Sequence, residues 1–471
     1  MRKTKIICTL GPAVDSIEAL RALIDGGMNA ARFNFSHGDH ASHLGTLNRL
    51  RLAQEGFSRP IATILDTRGP EIRVRSFSTP SVTLAEGADF ILTTEDIVGD
   101  AGRASVTYPL LHEELAPGCH VLVDDGLLDL EVVKISGREI HCVVVAGGPL
   151  SANKSINIPS VSIPLPSLTD KDRADIRFGV EHGFDFIAAS FVRRASDVED
   201  IRAALRDYGG ESIQIIAKIE NREGVDNINE IIRAADGIMV ARGDLGVEIP
   251  PYEIPGLQKT IISKTAAQGK PVITATQMLE SMIKNPIPTR AEISDVANAV
   301  FDGTSCVMLS GETASGKYPI QSLGFMARTL EHTDGSIDYW AEFHKTAFAV
   351  EMTVENAISH SCCLTAMDLR ARAILAATAG GATARRISRF RPACPIVALT
   401  LTEQSRRQLA LSWGVYPYLS EVHLSTDELF DMCVAHGTAE GFVSPGDVVV
   451  ITAGVPMGQS GTTNLIKVQI A

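Results

Sequence analysis

The chain has 471 residues and a mass of 50.4 kDa, and at roughly 150 residues per domain that sets a prior of about three domains. With 45% hydrophobic and 21% charged residues it falls in the ordinary globular range, which excludes disordered and fibrous architectures. Its 43 basic and 56 acidic residues give a formal net charge of −13, a poor match to nucleic-acid or anionic-membrane binding, which needs a basic face.

No window approaches the run of about 18 apolar residues that a membrane span requires. The start, Met1-Arg2-Lys3-Thr4-Lys5-Ile6-Ile7-Cys8-Thr9-Leu10, faintly imitates a signal peptide. Its apolar stretch is too short and runs into Gly11-Pro12, so a first buried strand is expected instead. The eight cysteines show no CxxC spacing, as befits buried thiols in a reducing compartment. A soluble cytoplasmic protein is the expectation.

Taken in chain order, short apolar or β-branched runs predict strands over 5–10, 29–36, 60–67, 184–192, 213–220, 237–242, 271–277 and 305–310. Helical patterns occupy 16–27, 40–56, 170–183, 196–210, 224–236, 257–269 and 290–303. Several of them stop at glycine, a helix end signal, and 319–332 supplies an eighth. Eight βα units in series predict an α/β fold with a (β/α)8 barrel, built from 1–70 and 168–340. An open doubly wound sheet would show the same alternation.

One interval breaks the rhythm. Over 71–167 strand and turn signals replace helix signals, with strands at 81–84, 89–93, 120–123, 127–135 and 139–145. Asp124-Asp125-Gly126 and Gly147-Gly148-Pro149 read as turns, and Pro159-Ser160-Val161-Ser162-Ile163-Pro164-Leu165-Pro166 as the returning hinge. This predicts a small all-β domain inserted after the third barrel strand, where it would lie over the carboxyl ends of the strands as a lid. A compact α/β domain over 345–471 follows. Its elements are expected at 353–369, 373–378, 382–390, 395–400, 404–412, 425–436, 447–453 and 465–470.

The carboxyl ends of barrel strands are where an active site belongs. The second strand ends Arg32-Phe33-Asn34-Phe35-Ser36-His37-Gly38, and period two sets Arg32, Asn34 and Ser36 on one face. The third ends Leu65-Asp66-Thr67-Arg68-Gly69-Pro70-Glu71-Ile72-Arg73, and the fifth aligns Lys218 with Glu220. The sixth ends Ala241-Arg242-Gly243-Asp244 and the seventh Thr274-Ala275-Thr276-Gln277. Arg32, Arg73 and Lys218 suit phosphate or carboxylate oxygens. Glu220 and Asp244, from adjacent strands, suit Mg²⁺ or Mn²⁺ better than zinc. Gly243 would let backbone N–H groups approach an anion, helped by a helix N-terminus there. Phosphoryl transfer needs such positioning and charge neutralisation. Plainer alternatives stand beside these: Lys218–Glu220 as a structural ion pair, Arg242 as a brace for Glu220 or a loop, His37 as a loop residue, and Asp124 and Asp125 as turn residues.

These strand ends, in this order, resemble the pyruvate kinase family. The likeness runs through Thr9-Leu10-Gly11-Pro12-Ala13, Ala31 to Gly38, Leu65 to Arg73, Ala217-Lys218-Ile219-Glu220-Asn221 and Met239 to Glu248. It continues in Thr274 to Met282, Pro288-Thr289-Arg290-Ala291-Glu292 and Met308-Leu309-Ser310-Gly311-Glu312-Thr313-Ala314. The form resembled is the bacterial one that begins at the barrel and stops after the C-terminal domain. The resemblance implies transfer of phosphate from phosphoenolpyruvate to ADP, giving pyruvate and ATP in glycolysis.

Carried over residue by residue, it implies that Lys218 stabilises the phosphoryl group in flight and that Glu220 and Asp244 bind Mg²⁺. Arg32, Lys218, Gly243, Asp244 and Thr276 would hold the substrate, with Thr276 beside the carbon to be protonated. Asn34, Ser36, Asp66 and Thr67 would bind K⁺, and Asn34, Phe35, Ser36, His37, Arg73 and Lys154 would line the nucleotide site. Glu71 matches the K⁺-dependent branch, while Arg68 stands where relatives often carry Lys. In the C-terminal domain the loop Thr378-Ala379-Gly380-Gly381-Ala382-Thr383-Ala384-Arg385-Arg386 precedes a helix, a phosphate nest by pattern. Thr378, Gly380, Gly381 and Thr383, with Ser460, Gly461 and Thr462 facing them, would bind a phosphorylated allosteric effector. Ala382 stands where relatives sensitive to fructose 1,6-bisphosphate carry Lys. The resemblance further implies a homotetramer. A Mg²⁺-dependent aldolase or mutase acting on pyruvate-like substrates, and a catalytically silent effector-binding scaffold, are the rival readings. Neither accounts for the lid, the third domain and the presence of Lys218, Glu220, Asp244 and Thr276 together.

Overall fold

The computed structural model of the chain describes residues 1–159, 161, 163–347, 353–421, 425–455 and 462–471. Eight parallel strands close on themselves: Lys5–Thr9, Ala30–Asn34, Ala62–Asp66, Phe186–Ala189, Gln214–Ile219, Gly237–Ala241, Val272–Ala275 and Cys306–Leu309. Each lies inside a run read from the sequence, trimmed at one or both ends. Ile7 decides between barrel and open sheet, because it pairs with Ala30 on one side and Met308 on the other and leaves no edge.

Period-two alternation gives every strand two buried faces. Ile7, Ile64, Phe186, Ile216, Met239, Ile273 and Met308 fill the barrel interior. Their neighbours Ile6, Phe33, Leu65, Ile187, Ile215, Val240 and Leu309 point outward and pack under the helices. Several helices start where capping side chains stop the preceding loop. Thr169 and Thr289 close capping boxes with Asp172 and Glu292, and Ser16 accepts a hydrogen bond from Ala19 N. The single helix expected over 224–236 is two, Arg222–Asp226 and Ile228–Ala234. Asn221 caps the first through Gly224 N at 2.7 Å, and Asn227 interrupts the pair while its amide donates to Arg193 O at 2.9 Å.

Between the third and fourth barrel strands lies a seven-stranded sheet. Its order is Ile72–Arg73, Ser155–Asn157, His120–Val123, Leu128–Ser136, Glu139–Ala146, Asp89–Thr93 and Arg103–Ser105. The sequence Gly147-Gly148-Pro149 is not a turn: Gly148–Ser151 is a strand antiparallel to Ser81–Leu84. Glycine is needed at 147 because a Cβ there would sit 2.4 Å from the Leu84 carbonyl oxygen. Asn157 donates to Glu248 at 3.2 Å, which anchors this sheet over the end of the sixth barrel strand.

The C-terminal sheet has the order Val415–Leu419, Ile396–Thr400, Ala373–Ala377, Val448–Gly454 and Thr463–Ile470, the last antiparallel. Val415–Leu419 was not anticipated, since Pro417 argues against a strand. Its place at the sheet edge is where proline is tolerated. The helix Tyr339–Ala347 was also not anticipated. Among the described residues no helix is long and apolar enough to cross a membrane.

This last domain is wedged into the barrel floor. Ala410 and Leu411, just beyond the helix Glu403–Leu409, belong to the same apolar cluster as the barrel interior. Arg407 donates to the buried Asp185 carboxylate at 2.9 Å, and Asp185 also accepts from Thr63 N. Lys5 reaches the other way and donates to Val415 O at 2.6 Å. Leu411→Ala is therefore expected to cost about 2–5 kcal/mol, the range for a fully buried leucine, measured as a fall in the unfolding free energy by denaturant titration.

Candidate active site

The side chains singled out at the strand ends converge on Asp66. Its carboxylate, 1% exposed, accepts from Arg32 Nε at 2.6 Å through Oδ2 and from Lys218 Nζ at 3.1 Å through Oδ1. Lys218 donates in addition to Glu220 Oε1 at 2.8 Å and to Ser190 Oγ at 2.7 Å. The ammonium thus spends all three of its protons within the protein. The other Glu220 oxygen accepts from Phe191 N at 2.6 Å, and Arg32 reaches Thr9 Oγ1 at 3.1 Å.

Burial works against all of these charges, and pairing decides which survive. Burial pushes the Asp66 carboxyl up, but Arg32 and Lys218 outweigh it and leave it below the usual carboxylate range. Burial likewise opposes the Lys218 charge, yet Asp66, Glu220 and Asp244 together hold its ammonium above the ordinary lysine value. For Glu220 burial prevails: reinforced by the negative charge of Asp244 and only partly offset by Lys218, it raises the carboxyl.

A short helix, Arg242–Glu248, starts directly where the sixth strand ends. Gly243 N donates to Thr276 Oγ1 at 2.7 Å, so these two predicted residues face each other. A Cβ on Gly243 would lie 3.4 Å from that oxygen. Thr276 and Gln277 hold φ angles of 67° and 55°, a region that costs a β-branched residue dearly. Arg242 holds this loop in place. It donates to Thr276 O at 2.8 Å and pairs with Asp295 at 2.7 Å, which makes it the loop brace rather than a partner of Glu220.

Two other predicted groups stand apart from this centre. Arg73 is paired with Glu71 at 2.5 Å and Lys154 with Asp124 at 2.7 Å. Asp124 and Asp125, at φ 56° and 55°, do form the turn expected of them. Asn34, the register partner of Asp66, accepts from Ser36 N at 3.1 Å, and the His37 carbonyl accepts from His43 at 2.9 Å. The Phe35 ring turns the opposite way. It is buried and stacks on His43 at 4.0 Å, because period two sends it to the helix side, so only its backbone faces the loop.

In the C-terminal domain Gly381, at φ 84°, caps the eight-residue helix Ala382–Arg389. Thr383 bonds Thr463 at 2.7 Å, and Thr378 is buried, its N–H donating to Leu399 O at 2.9 Å. Gly380 O accepts from Arg385 at 2.8 Å. Thr462 closes on Gly454, where a Cβ would lie 2.5 Å from its hydroxyl. Ser460 and Gly461 lie outside the described residues.

Strand-end reasoning missed the fourth strand. Ala188-Ala189-Ser190-Phe191 carries a hydroxyl and an amide that bond Lys218 and Glu220. The signal was there, since period two sets Ser190 on the Ala188 face, inside the barrel.

Residues 1–323 match the pyruvate kinase barrel domain, and residues 356–469 the pyruvate kinase alpha/beta domain. A pyruvate kinase from Clostridium acetobutylicum is 48% identical over 471 residues, covering all of both chains. One from Geobacillus stearothermophilus is 48% identical over 471 residues, with 80% of that protein covered. The crystal structure of a pyruvate kinase from Cryptosporidium parvum aligns with a TM-score of 0.95 at 40% identity, covering 100% of this chain and 96% of that one. These matches place the chain, with charges of both signs gathered at its barrel strand ends beside an inserted β sheet, among the phosphotransferases. The chain belongs to the pyruvate kinase family. Its reaction is the closing step of glycolysis, the transfer of phosphate from phosphoenolpyruvate to ADP that yields pyruvate and ATP. The family works with a divalent cation and K⁺.

Because Asp66 is the counter-charge for two cations, Asp66→Asn should cost about 3–5 kcal/mol, the penalty for leaving buried charge uncompensated. Equilibrium unfolding of the purified variant in urea checks it.

Proposed function

We propose that Lys218 is the group that bears on the phosphoryl in transit, with Arg32, Gly243, Asp244 and Thr276 holding phosphoenolpyruvate. The observation that carries this reading is the Arg32–Asp66–Lys218 arrangement, two cations fixed by one buried carboxylate at the mouth of the barrel. Its raised pKa keeps Lys218 charged throughout the working pH range. An incoming phosphoryl oxygen would replace one of its three present partners. Thr276, set beside Gly243 by the strained loop, would stand next to the enolate carbon that must gain a proton.

The donor chemistry fits the two ions of the family. Among the described residues no group of three or more His, Cys, Asp or Glu side chains could hold a metal. Mg²⁺ needs none, since it takes one or two carboxylates and fills its other positions with water and phosphate oxygens. Glu220 and Asp244 are such a pair, and a divalent cation would offset both the burial that chiefly raises the Glu220 carboxyl and the negative charge of Asp244 that adds to it. When bound, that ion would neutralise phosphate charge as it develops. Asn34, Ser36, Asp66 and the Thr67 carbonyl offer oxygen donors alone, suited to K⁺, and Glu71 fits the K⁺-dependent branch.

Asn34, the Phe35 backbone, Ser36, His37, Arg73 and Lys154 would receive the nucleotide. Arg73 and Lys154 would exchange Glu71 and Asp124 for its phosphates as the lid closes and excludes water. We assign the catalytic barrel to 1–70 and 168–340, the lid to 71–167 and a regulatory domain to 345–471. The last would bind a sugar phosphate through Thr378, Gly380, Gly381, Thr383, Ser460, Gly461 and Thr462. A cytoplasmic homotetramer completes the reading.

Lys218→Met should abolish pyruvate formation while leaving phosphoenolpyruvate binding largely intact, and near-normal turnover in that variant would sink the assignment. Replacing K⁺ with a bulky organic cation should collapse the wild-type rate. A rate indifferent to the exchange would remove the monovalent-ion site but not the rest.

A further inference from the structure

We infer that Ser190 is a positioning residue, a hydroxyl bridge that joins the Lys218 ammonium to the Thr67 carbonyl. The inference rests on the reading of the Thr67 carbonyl as a K⁺ ligand and adds a coupling between that ion and the lysine. Ser190 is buried, at 7% exposure, where the fourth barrel strand runs out. Its hydroxyl has one proton to give. Thr67 O lies 2.6 Å away and Asp66 Oδ1 3.4 Å away, so the proton goes to Thr67. Lys218 Nζ then donates at 2.7 Å into a free lone pair of the same oxygen. The chain runs ammonium to hydroxyl to carbonyl, each bond polarising the next.

Two features hold this bridge in one geometry. Ser190 N donates to Thr67 Oγ1 at 3.2 Å, so strand end and loop are tied twice. Gly69, at φ 73°, packs so tightly that a Cβ there would lie 2.9 Å from Ser190 Cβ. Of the three Lys218 partners, Asp66 and Glu220 are ionisable and are claimed by the proposed ion sites. Ser190 is the neutral one, whose bond survives whatever charge those sites carry. A carbonyl oxygen has two lone pairs. Ser190 takes one at Thr67 and leaves the other aimed by a fixed backbone.

The test compares wild type with Ser190→Ala, which is smaller and cannot bond, and with Ser190→Cys, which is larger and bonds weakly. Two readouts are taken on the intact chain: steady-state kinetics in phosphoenolpyruvate, and the midpoint of K⁺-dependent thermal stabilisation without substrate. A misplaced lysine should lower kcat by about tenfold to a hundredfold, with the KM for phosphoenolpyruvate moved far less. The K⁺ midpoint should rise about threefold to tenfold, the worth of one hydrogen bond. Both variants should behave alike. If the wild type gains no stability from K⁺, the ion reading fails and takes the bridge with it. A responsive wild type whose variants keep their K⁺ midpoint, or keep their kcat, overturns the bridge alone.

Discussion

One buried carboxylate sets the terms for the rest of the site. Asp66 lies at the end of the third barrel strand, and without it Arg32 and Lys218 would be two cations forced together in a medium that screens them poorly. Burying any one of these charges alone costs several kcal/mol. Burying three that share hydrogen bonds is tolerable, and it fixes their geometry before anything binds. The barrel makes this feasible, because the closed register pairs Asn34 with Asp66 and brings the second, third and fifth strand ends to one level.

Backbone strain is concentrated where this arrangement needs help. Of the eight non-glycine residues with positive φ among the described residues, Phe191, Thr276 and Gln277 sit at strand ends of the site, and Asp124, Asp125 and Asn153 flank Lys154 on the inserted sheet. Phe191 gains by it an amide aimed at Glu220, and Thr276 a hydroxyl aimed at Gly243. Each such residue costs of order 1–3 kcal/mol and persists only where its surroundings over-determine it. Arg242, with its bonds to Thr276, Gln277, Met278 and Asp295, is that over-determination for the seventh strand.

Legibility in the sequence followed the strength of local periodicity. Barrel strands such as Gly237–Ala241 were readable because both faces are apolar and glycine or proline marks their ends. Arg32, Lys218 and Glu220 were readable as a group because strand ends in a barrel share one rim. Ser190 escaped because a lone serine after two alanines carries no chemical signal until the lysine from the next strand arrives beside it. Val415–Leu419 escaped because its proline is permitted only by its position at an edge, which is a tertiary fact. Gly148–Ser151 was misread as a turn because glycine marks close backbone approach as well as reversal. The pairing of Lys154 with Asp124 lies beyond any pattern rule, since thirty residues and three strands of the inserted domain separate them.

The seat of Leu411 in the barrel floor has a consequence for how the molecule is built. A barrel interior is ordinarily finished by its own strands, yet here the lowest layer comes from a segment more than a hundred residues beyond the last of them. The barrel and the C-terminal domain therefore share one buried apolar cluster, beside the clusters that each keeps to itself. Ala410 and Leu411 pack in the same buried cluster as Ile7, Met308 and the rest of the barrel's central column, whose strands end at the rim that carries Lys218. The barrel is closed at its floor by a segment that the C-terminal domain supplies.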